Sequence, residues 1–411
     1  VAAPLSIDRA AANQRAFGRM SAADPILVDV RRALDVVPGM KPNMILTSGA
    51  PLPWEQYTGP HRMGILYGAV HERLAASTEE ADERIRAGEI VIGSTHHHGC
   101  IGPGTAICTA SMSVFVVENR AGGNRAFCTF YEGETAHRLN WGAYGDDTIE
   151  RLKFVEQVVA PVMGDAIRLR GGLPLLPIIS TALRMGDELH MRATSAGLVG
   201  ASMLFPALLE VARTHPAEVR RTLEFLERTR LYWFMRPTIA ASKAIADAAH
   251  GVEGSSMVTA FSFNCRELAI RVSGLGDEWF RGPHPDPSQY LPQGLGTGDY
   301  QNPGGDCIIV ESVGLGAFAQ VAAFPNSSSA RKRNLALYDI TLGEHPAFRL
   351  GSFDFRGSPT GIDIFKVLET GTLPPITGFL VTKVGPLVVM PHATIECFQS
   401  AAAAYQRRYG S

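Results

Sequence analysis

The chain has 411 residues, of which 45% are hydrophobic and 19% charged; this length and balance suit a folded protein of two or three packed units. Lys+Arg 38 against Asp+Glu 40 leave a formal charge of -2, so there is no electrostatic basis for binding nucleic acid or an anionic membrane. The cysteines at 100, 108, 128, 265, 307 and 397 form no C-x-x-C pair; spacing excludes a zinc ribbon, and they read as buried thiols in a reducing compartment.

The first residues lack the charged start and long apolar core of a secretory signal, which points to a cytoplasmic protein. Short β-like runs then alternate with helical ones. Strands are expected at 26–30, 44–49, 89–95, 112–119 and 124–131, and helices at 63–76 and 78–88. Thr78 reads as an N-cap, although Ala81 stands where a Glu or Gln would complete a capping box. This alternation predicts an α/β domain over 1–145. From Asp146 the period becomes helical, with Ile149, Leu152, Phe154, Val155, Val158 and Val159 on one broad face. Further helices are expected at 174–190, 194–213, 217–235 and 237–249, with Pro216 and Pro237 in opening positions. The apolar run 196–212 contains Pro206 and Glu210 and is short for a membrane span, so it reads as a buried helix. The section 146–250 is thus a helical domain. Strand patterns return at 256–264, 268–274, 307–312, 335–342 and near 379 and 388, with helical runs after 316 and at 364–371. Residues 326–334 read as an exposed loop, and 354–363 as loop-rich. The predicted fold class is α/β (mixed α+β): an N-terminal α/β part, a helical middle section, and a C-terminal α/β domain over 251–411.

Five stretches carry candidate chemistry. "STHHHGCIGPG", Ser94 to Gly104, follows an expected strand, where ligands of α/β sheets collect. In an extended chain His96 and His98 point to one side and His97 to the other. Zinc would need further ligands from elsewhere; the plain alternative is a turn whose histidines bond nearby carbonyls. In "RMGDELHMR" (184–192), Asp187 and His190 share a helical face, Glu188 is offset by one, and Arg184 and Arg192 flank them. Di-metal bundles use such Asp/Glu-x-x-His pairs, but the nearest counterpart here is His250-x-x-Glu253, reversed. His250 ends a helix, whose dipole favours its charged form, while Glu253 and Asn264 are placed to bond an amide. Gly314 and Gly316 precede a helical run and offer backbone N–H groups to an anion, with no complete dinucleotide or P-loop motif. Arg356, between Asp354 and Asp363, is suited to fork onto a carboxylate or phosphate. Neither G-x-S-x-G nor H-E-x-x-H occurs.

Taken together, "ASMSVFVVEN", "RMGDELH", "AAHGVEGSSMVTA", "IRVSGLGDEWF", "ESVGLGAFA" and "DFRGSPTGIDIFKVLETGTLP" resemble the YlbE-like family, from about "ANQRAF" to "ECF". The resemblance implies a subunit of an oxamate carbamoyltransferase with two companions, one of them acyl-CoA-synthetase-like. The implied reaction exchanges oxalurate and phosphate for oxamate and carbamoyl phosphate in allantoin (purine) nitrogen breakdown. Two departures, Ala193 after the "MGDELHMR" run and a short 382–398 stretch with only Gly385, would allow a different ureido or amide compound. Such chemistry needs an anion site, a proton donor and an amide reader. Arg271 or Arg356 with Gly314 and Gly316 are candidates for the anion. His96, His97, His98 or His250 are candidates for the proton, with Asp187, Glu188 and His190 as a further catalytic group. Arg192 is the candidate carboxylate clamp, and Glu253 and Asn264 are the amide readers. Phosphate is the expected co-substrate, no residue is assigned to a metal, a divalent metal stays open, and a homo-oligomer is the expected assembly. The competing readings are a non-catalytic subunit and a stand-alone, metal-dependent amidohydrolase.

Overall fold

The computed structural model describes residues 8–133, 137–230, 232–350 and 357–410. Its main sheet has the strand order Cys100–Ile101, Arg125–Thr129, Ser113–Asn119, Pro25–Arg32, Leu173–Pro174. The first pair is parallel, with Cys100 opposite Phe127, and the others are antiparallel. A smaller sheet sets Met44–Thr47 between Val91–Ser94 and Cys108–Thr109. Three antiparallel sheets or ribbons follow the helical region: Val258–Phe263 with Glu267–Val272 and Phe280–Pro283; Thr341–His345 with Ser358–Ile362; and Tyr300–Gln301 with Gly378–Thr382 and Gly385–Val389. The fold is mixed α+β with a helical middle, as the alternating and then helical patterns predict.

The helix Met235–Ala248 is the spine of the molecule. Every residue from Met235 to Ala246 is buried, because small Ala and Ser residues let the helix approach its neighbours on all sides. It lies against the strands Ser113–Asn119 and Arg125–Thr129 on one side and the short helix Ile309–Ser312 on another. The largest hydrophobic core gathers around it, from Ala16 to Leu350.

Several local expectations change. The first helix of the "MGILYG" run spans Gly59–His71. The next, Thr78–Arg86, is capped by Ser77, not Thr78: Ser77 Oγ accepts the Glu80 N–H, and the Glu80 carboxylate accepts that of Ala76. The rod beginning at Asp146 contains a π-helical turn, Val155–Val159. Leu152, Val155, Val158 and Val159 are buried, while Ile149, in the regular helix before that turn, is 42% exposed. "CIIVES" is not a strand but ends in the buried helix Ile309–Ser312; total burial removes the periodicity that separates the two readings. Residues 326–334 are not an exposed loop. They hold most of the helix Ser328–Leu337, capped by Ser327, and the strand follows at Thr341–His345. The helix Thr194–Val211 is long and apolar enough by composition to cross a membrane, yet it buries Ala196, Gly200, Leu204, Leu208 and Val211 in the core.

Candidate functional site

A cavity of about 340 Å³ opens at the start of the spine helix. Arg138, Arg230, Arg236, Asn140, Tyr131 and Tyr232 supply its polar lining, and Trp141 and Phe379 its aromatic walls. Arg236 is 1% exposed. Its Nη1 donates to Thr129 O at 3.2 Å and Thr129 Oγ1 at 3.0 Å, while its Nε has no partner. Among the described residues it makes no ion pair. The Glu132 carboxylate feels its charge but accepts the N–H groups of Leu139 at 2.7 Å and Asn140 at 3.1 Å. A buried guanidinium without a carboxylate hydrogen-bonded to it is costly, and here it leaves a positive charge at the cavity wall. Burial holds Glu132 above the usual carboxylate range, and its two bonds pin the turn Leu139–Trp141 that brings Arg138 and Asn140 to the cavity. Arg230 has φ +51, an uncommon conformation for an L-residue that here turns the chain out of the helix Pro216–Arg228.

The last residue of the histidine stretch reaches this cavity; the histidines do not line it. Gly104 has φ +57, and a Cβ there would collide with the Asn140 carbonyl. Glycine is required for this close approach. The three histidines form a 3-10 turn, Thr95–His98, in place of an extended run. His98 Nδ1 bonds Pro38 O at 2.6 Å, and Trp279 Nε1 donates to His97 Nε2 at 3.1 Å. His96 is fully enclosed, its Nε2 3.6 Å from Asp306, and burial drives its pKa well below the usual histidine value. Asp306 accepts from Gly49 N at 2.9 Å and from the Thr95 and Ser262 hydroxyls, and burial pushes it up to about 6. Beside them Lys243 is paired with Asp247, and Arg271 with Asp277. His250 bonds Thr259 Oγ1 at 2.7 Å and accepts from Arg271 at 3.0 Å. Burial and then Arg271 push it down to about 4, opposite to the helix-dipole expectation.

The "RMGDELHMR" segment is a folded turn after the helix Leu175–Arg184, not a helical face. Leu189 has φ +68. Asp187 accepts from Leu189 N and, at 2.9 and 3.3 Å, from Ser195 N and Ala196 N, so it caps the helix Thr194–Val211. Glu188 takes the N–H groups of His190, Met191 and Arg192 and is pushed up to about 7 by burial. His190 is different. It is fully buried, its Nδ1 lies 2.9 Å from Glu311 Oε1, and its Nε2 has no partner. Burial opposes its charge, but the Glu311 carboxylate, with the Cys307 thiol beside the ring, raises its pKa well above the usual value. The same Glu311 oxygen accepts from Ala317 N and Thr377 N, while Glu311 Oε2 and Thr377 Oγ1 have no partner. This pair lies next to the cavity: the cavity-lining Tyr232 donates to His190 O at 3.0 Å, and Phe379 meets the His190 ring edge-on at 6.3 Å.

The remaining predicted residues lie elsewhere. Glu253 is exposed. Arg192 is exposed, stacks on Phe324 at 4.6 Å and bonds the Gly186 and Ala323 carbonyls. Asn264 locks a turn, accepting from Arg266 N and Glu267 N and donating to Ala50 O. The amides of Gly314 and Gly316 are not free, since they donate to Glu311 O and Glu188 O. Arg356 lies outside the described residues. Among the described residues no group of three or more His, Cys, Asp or Glu side chains is arranged to hold a metal ion. Sequence reasoning missed Arg236, Tyr232, Cys307 and Glu311. The usable signal for Arg236 was a cation in the small-residue helix "FMRPTIAASKAIADAA" with no acidic residue three or four positions away, unlike Lys243, which has Asp247 four residues on.

The family model described as oxamate carbamoyltransferase subunit AllG matches residues 90–307. The chain is 33% identical over 426 residues to an uncharacterized protein, YahG, of Escherichia coli K12, covering 99% of this chain and 88% of that one. It is 31% identical over 417 residues to the oxamate carbamoyltransferase subunit AllG of the same organism, covering 98% of each. A crystal structure of a conserved protein of unknown function from Enterococcus faecalis V583 superposes with TM-score 0.92 over 99% of this chain and 100% of that one, at 31% identity. The YlbE-like label stays an expectation drawn from the motifs. The chain belongs to the AllG family of oxamate carbamoyltransferase subunits.

Proposed function

We propose that this chain is the substrate-binding subunit of an oxamate carbamoyltransferase, exchanging oxalurate and phosphate for oxamate and carbamoyl phosphate. The observation that carries this reading is Arg236, a buried cation without a carboxylate partner among the described residues, lining a cavity in a chain of the AllG family. Oxalurate and oxamate each present a planar carboxylate next to an amide. A guanidinium binds the carboxylate through parallel N–H donors, while Asn140, Tyr131 and Tyr232 offer the neutral donors and acceptors an amide needs. Arg138 and Arg230 add positive charge for a second anion, phosphate. Two companion subunits, one acyl-CoA-synthetase-like, complete the assembly in this reading.

The test is phosphate-dependent formation of carbamoyl phosphate from oxalurate, by the chain alone and with its companions. Oxamate binding is measured alongside. Arg236→Met should weaken it at least about tenfold, the loss of one charge-assisted hydrogen bond. Turnover in neither setting, with no oxamate binding, would refute the proposal.

A further inference from the structure

The stretch "IRVSGLGDEWF" (270–280) folds against the histidine turn Thr95–His98, and neither lines the Arg236 cavity. Arg271, in the strand Glu267–Val272, is 5% exposed. Its Nη2 donates to His250 Nε2 at 3.0 Å and is bonded to the Asp277 carboxylate. Its Nε is buried and has no partner among the described residues. Nε and Nη2 lie along one edge of a guanidinium and present the parallel N–H pair that takes both oxygens of a carboxylate. Asp277 is bonded to only one arm of that fork. Nor is it a buried counter-ion, since its side chain is 82% exposed. It belongs to a short flap, 276–279. Gly274 before the flap is held fast, because a Cβ there would lie 2.6 Å from Ser255 O, and Phe280 after it is buried. Gly276 has φ +68 and open space around it, so the chain can pivot there. The half-buried Trp279 closes the flap. Its Nε1 donates to His97 Nε2 at 3.1 Å, its ring meets the buried His96 edge-on at 5.2 Å, and the Arg271 guanidinium carbon lies 5.6 Å from its centroid. An exposed carboxylate on a short loop, laid on a buried guanidinium, takes the place that a ligand's carboxylate would take.

We propose that Arg271, His250, His97 and Trp279 form a second binding site, for a small planar monocarboxylate, and that the Asp277 carboxylate holds this site until the ligand displaces it. The ligand's two oxygens take Arg271 Nε and Nη2, and its planar body lies against the indole of Trp279. A single negative charge is the match. Burial, and then the Arg271 charge, lowers the pKa of His97 and of His250, so neither adds a second positive charge, and Lys243 is already paired with Asp247. The second charge of inorganic phosphate would go unpaired here. The site is separate from the Arg236 cavity and does not rest on the function proposed for it.

The experiment titrates the full chain with pyruvate and with inorganic phosphate, by calorimetry and tryptophan fluorescence. Asp277→Ala removes the competing carboxylate at an exposed position and should bind pyruvate at least about tenfold more tightly than the wild type. Without ligand its melting midpoint should fall, because Arg271 is left buried and unpaired, and pyruvate should restore it. The fluorescence change on binding should vanish in Trp279→Phe. Arg271→Lys keeps the charge but loses the fork, so adding it to Asp277→Ala should cancel the gain. Arg236→Met, which empties the cavity of its charge, should leave the gain intact. No pyruvate binding, equal affinity in the wild type and Asp277→Ala, a gain that survives Arg271→Lys, or phosphate binding more tightly than pyruvate would each overturn the inference. Should Arg271→Lys fail to fold, the Asp277→Ala and phosphate comparisons decide alone. Loss of the gain in Arg236→Met would place the pyruvate in the cavity and sink the second site, while the function proposed for the cavity stands or falls on its own assay.

Discussion

Replacing Glu311 by Gln tests the central pair directly. The amide oxygen can still accept from Ala317 N and Thr377 N, so the change removes charge with little loss of shape. His190 then lies buried with no counter-ion on its Nδ1. Breaking one side of a buried ion pair costs about 3–5 kcal/mol, a large share of the roughly 5–15 kcal/mol that holds a domain folded. With a urea m-value of about 3 kcal/mol/M, the midpoint should fall by roughly 1 M or more. The pH dependence gives a second handle. The His190 pKa is raised in the folded protein, so its contribution is complete below the unfolded value of 6.5 and is lost as pH rises through the raised folded value. Urea melts at pH 6 and pH 9 should therefore show the greater Glu311→Gln loss at pH 6, where the variant buries an unpaired imidazolium or must discharge it. A loss below about 0.5 kcal/mol, the level of an ordinary surface substitution, or an equal loss at both pH values would refute the assignment of a charged pair.

Gly104→Ala should cost about 1–3 kcal/mol, from positive φ and a clash with the Asn140 carbonyl, and should abolish oxamate binding by shifting the cavity wall. Gly171→Ala, at φ +78 with nothing within 4 Å, should cost no more than about 1 kcal/mol and leave binding alone; equal effects in calorimetry would contradict the close-approach argument. Asp187→Ala removes the acceptor for Ser195 N and Ala196 N and should lower stability by about 1–2 kcal/mol. An unchanged melting midpoint would show that this cap is not needed. Asp306 is raised to about 6 by burial, so its folded state holds the proton more tightly than the unfolded one, and its contribution to stability declines as pH climbs from about 4 to 6. Asp306→Asn should flatten that slope in urea melts, and an unaltered slope would count against the shift.

Much of the architecture was legible because it rests on local periods. The alternation in 112–119 specified the strand Ser113–Asn119, and Pro216 marked the opening of the helix Pro216–Arg228. The capping of Thr78–Arg86 was readable to within one residue, since Ser77 and Glu80 carry the box that Thr78 and Ala81 lack. Where an element is buried on every side, as around Ile309–Ser312, periodicity vanishes and the strand reading failed. The π turn at Val155–Val159 leaves no mark in composition, and the period did not show that Ile149 faces outward.

The chain's own residues determined that His190 is ionisable, that Gly104 admits a close backbone approach, and that an apolar helix contains a cation at 236. Only the tertiary structure decided which of these meet. Glu311 lies 121 residues from His190 and pairs with it. His96 shares a stretch with Gly104, yet it lies against Asp306 and Trp279 while Gly104 lines the cavity. The physical reason is range: caps, turns and periods act over a few residues, whereas the desolvation and pairing that make a site depend on which distant segments exclude water together.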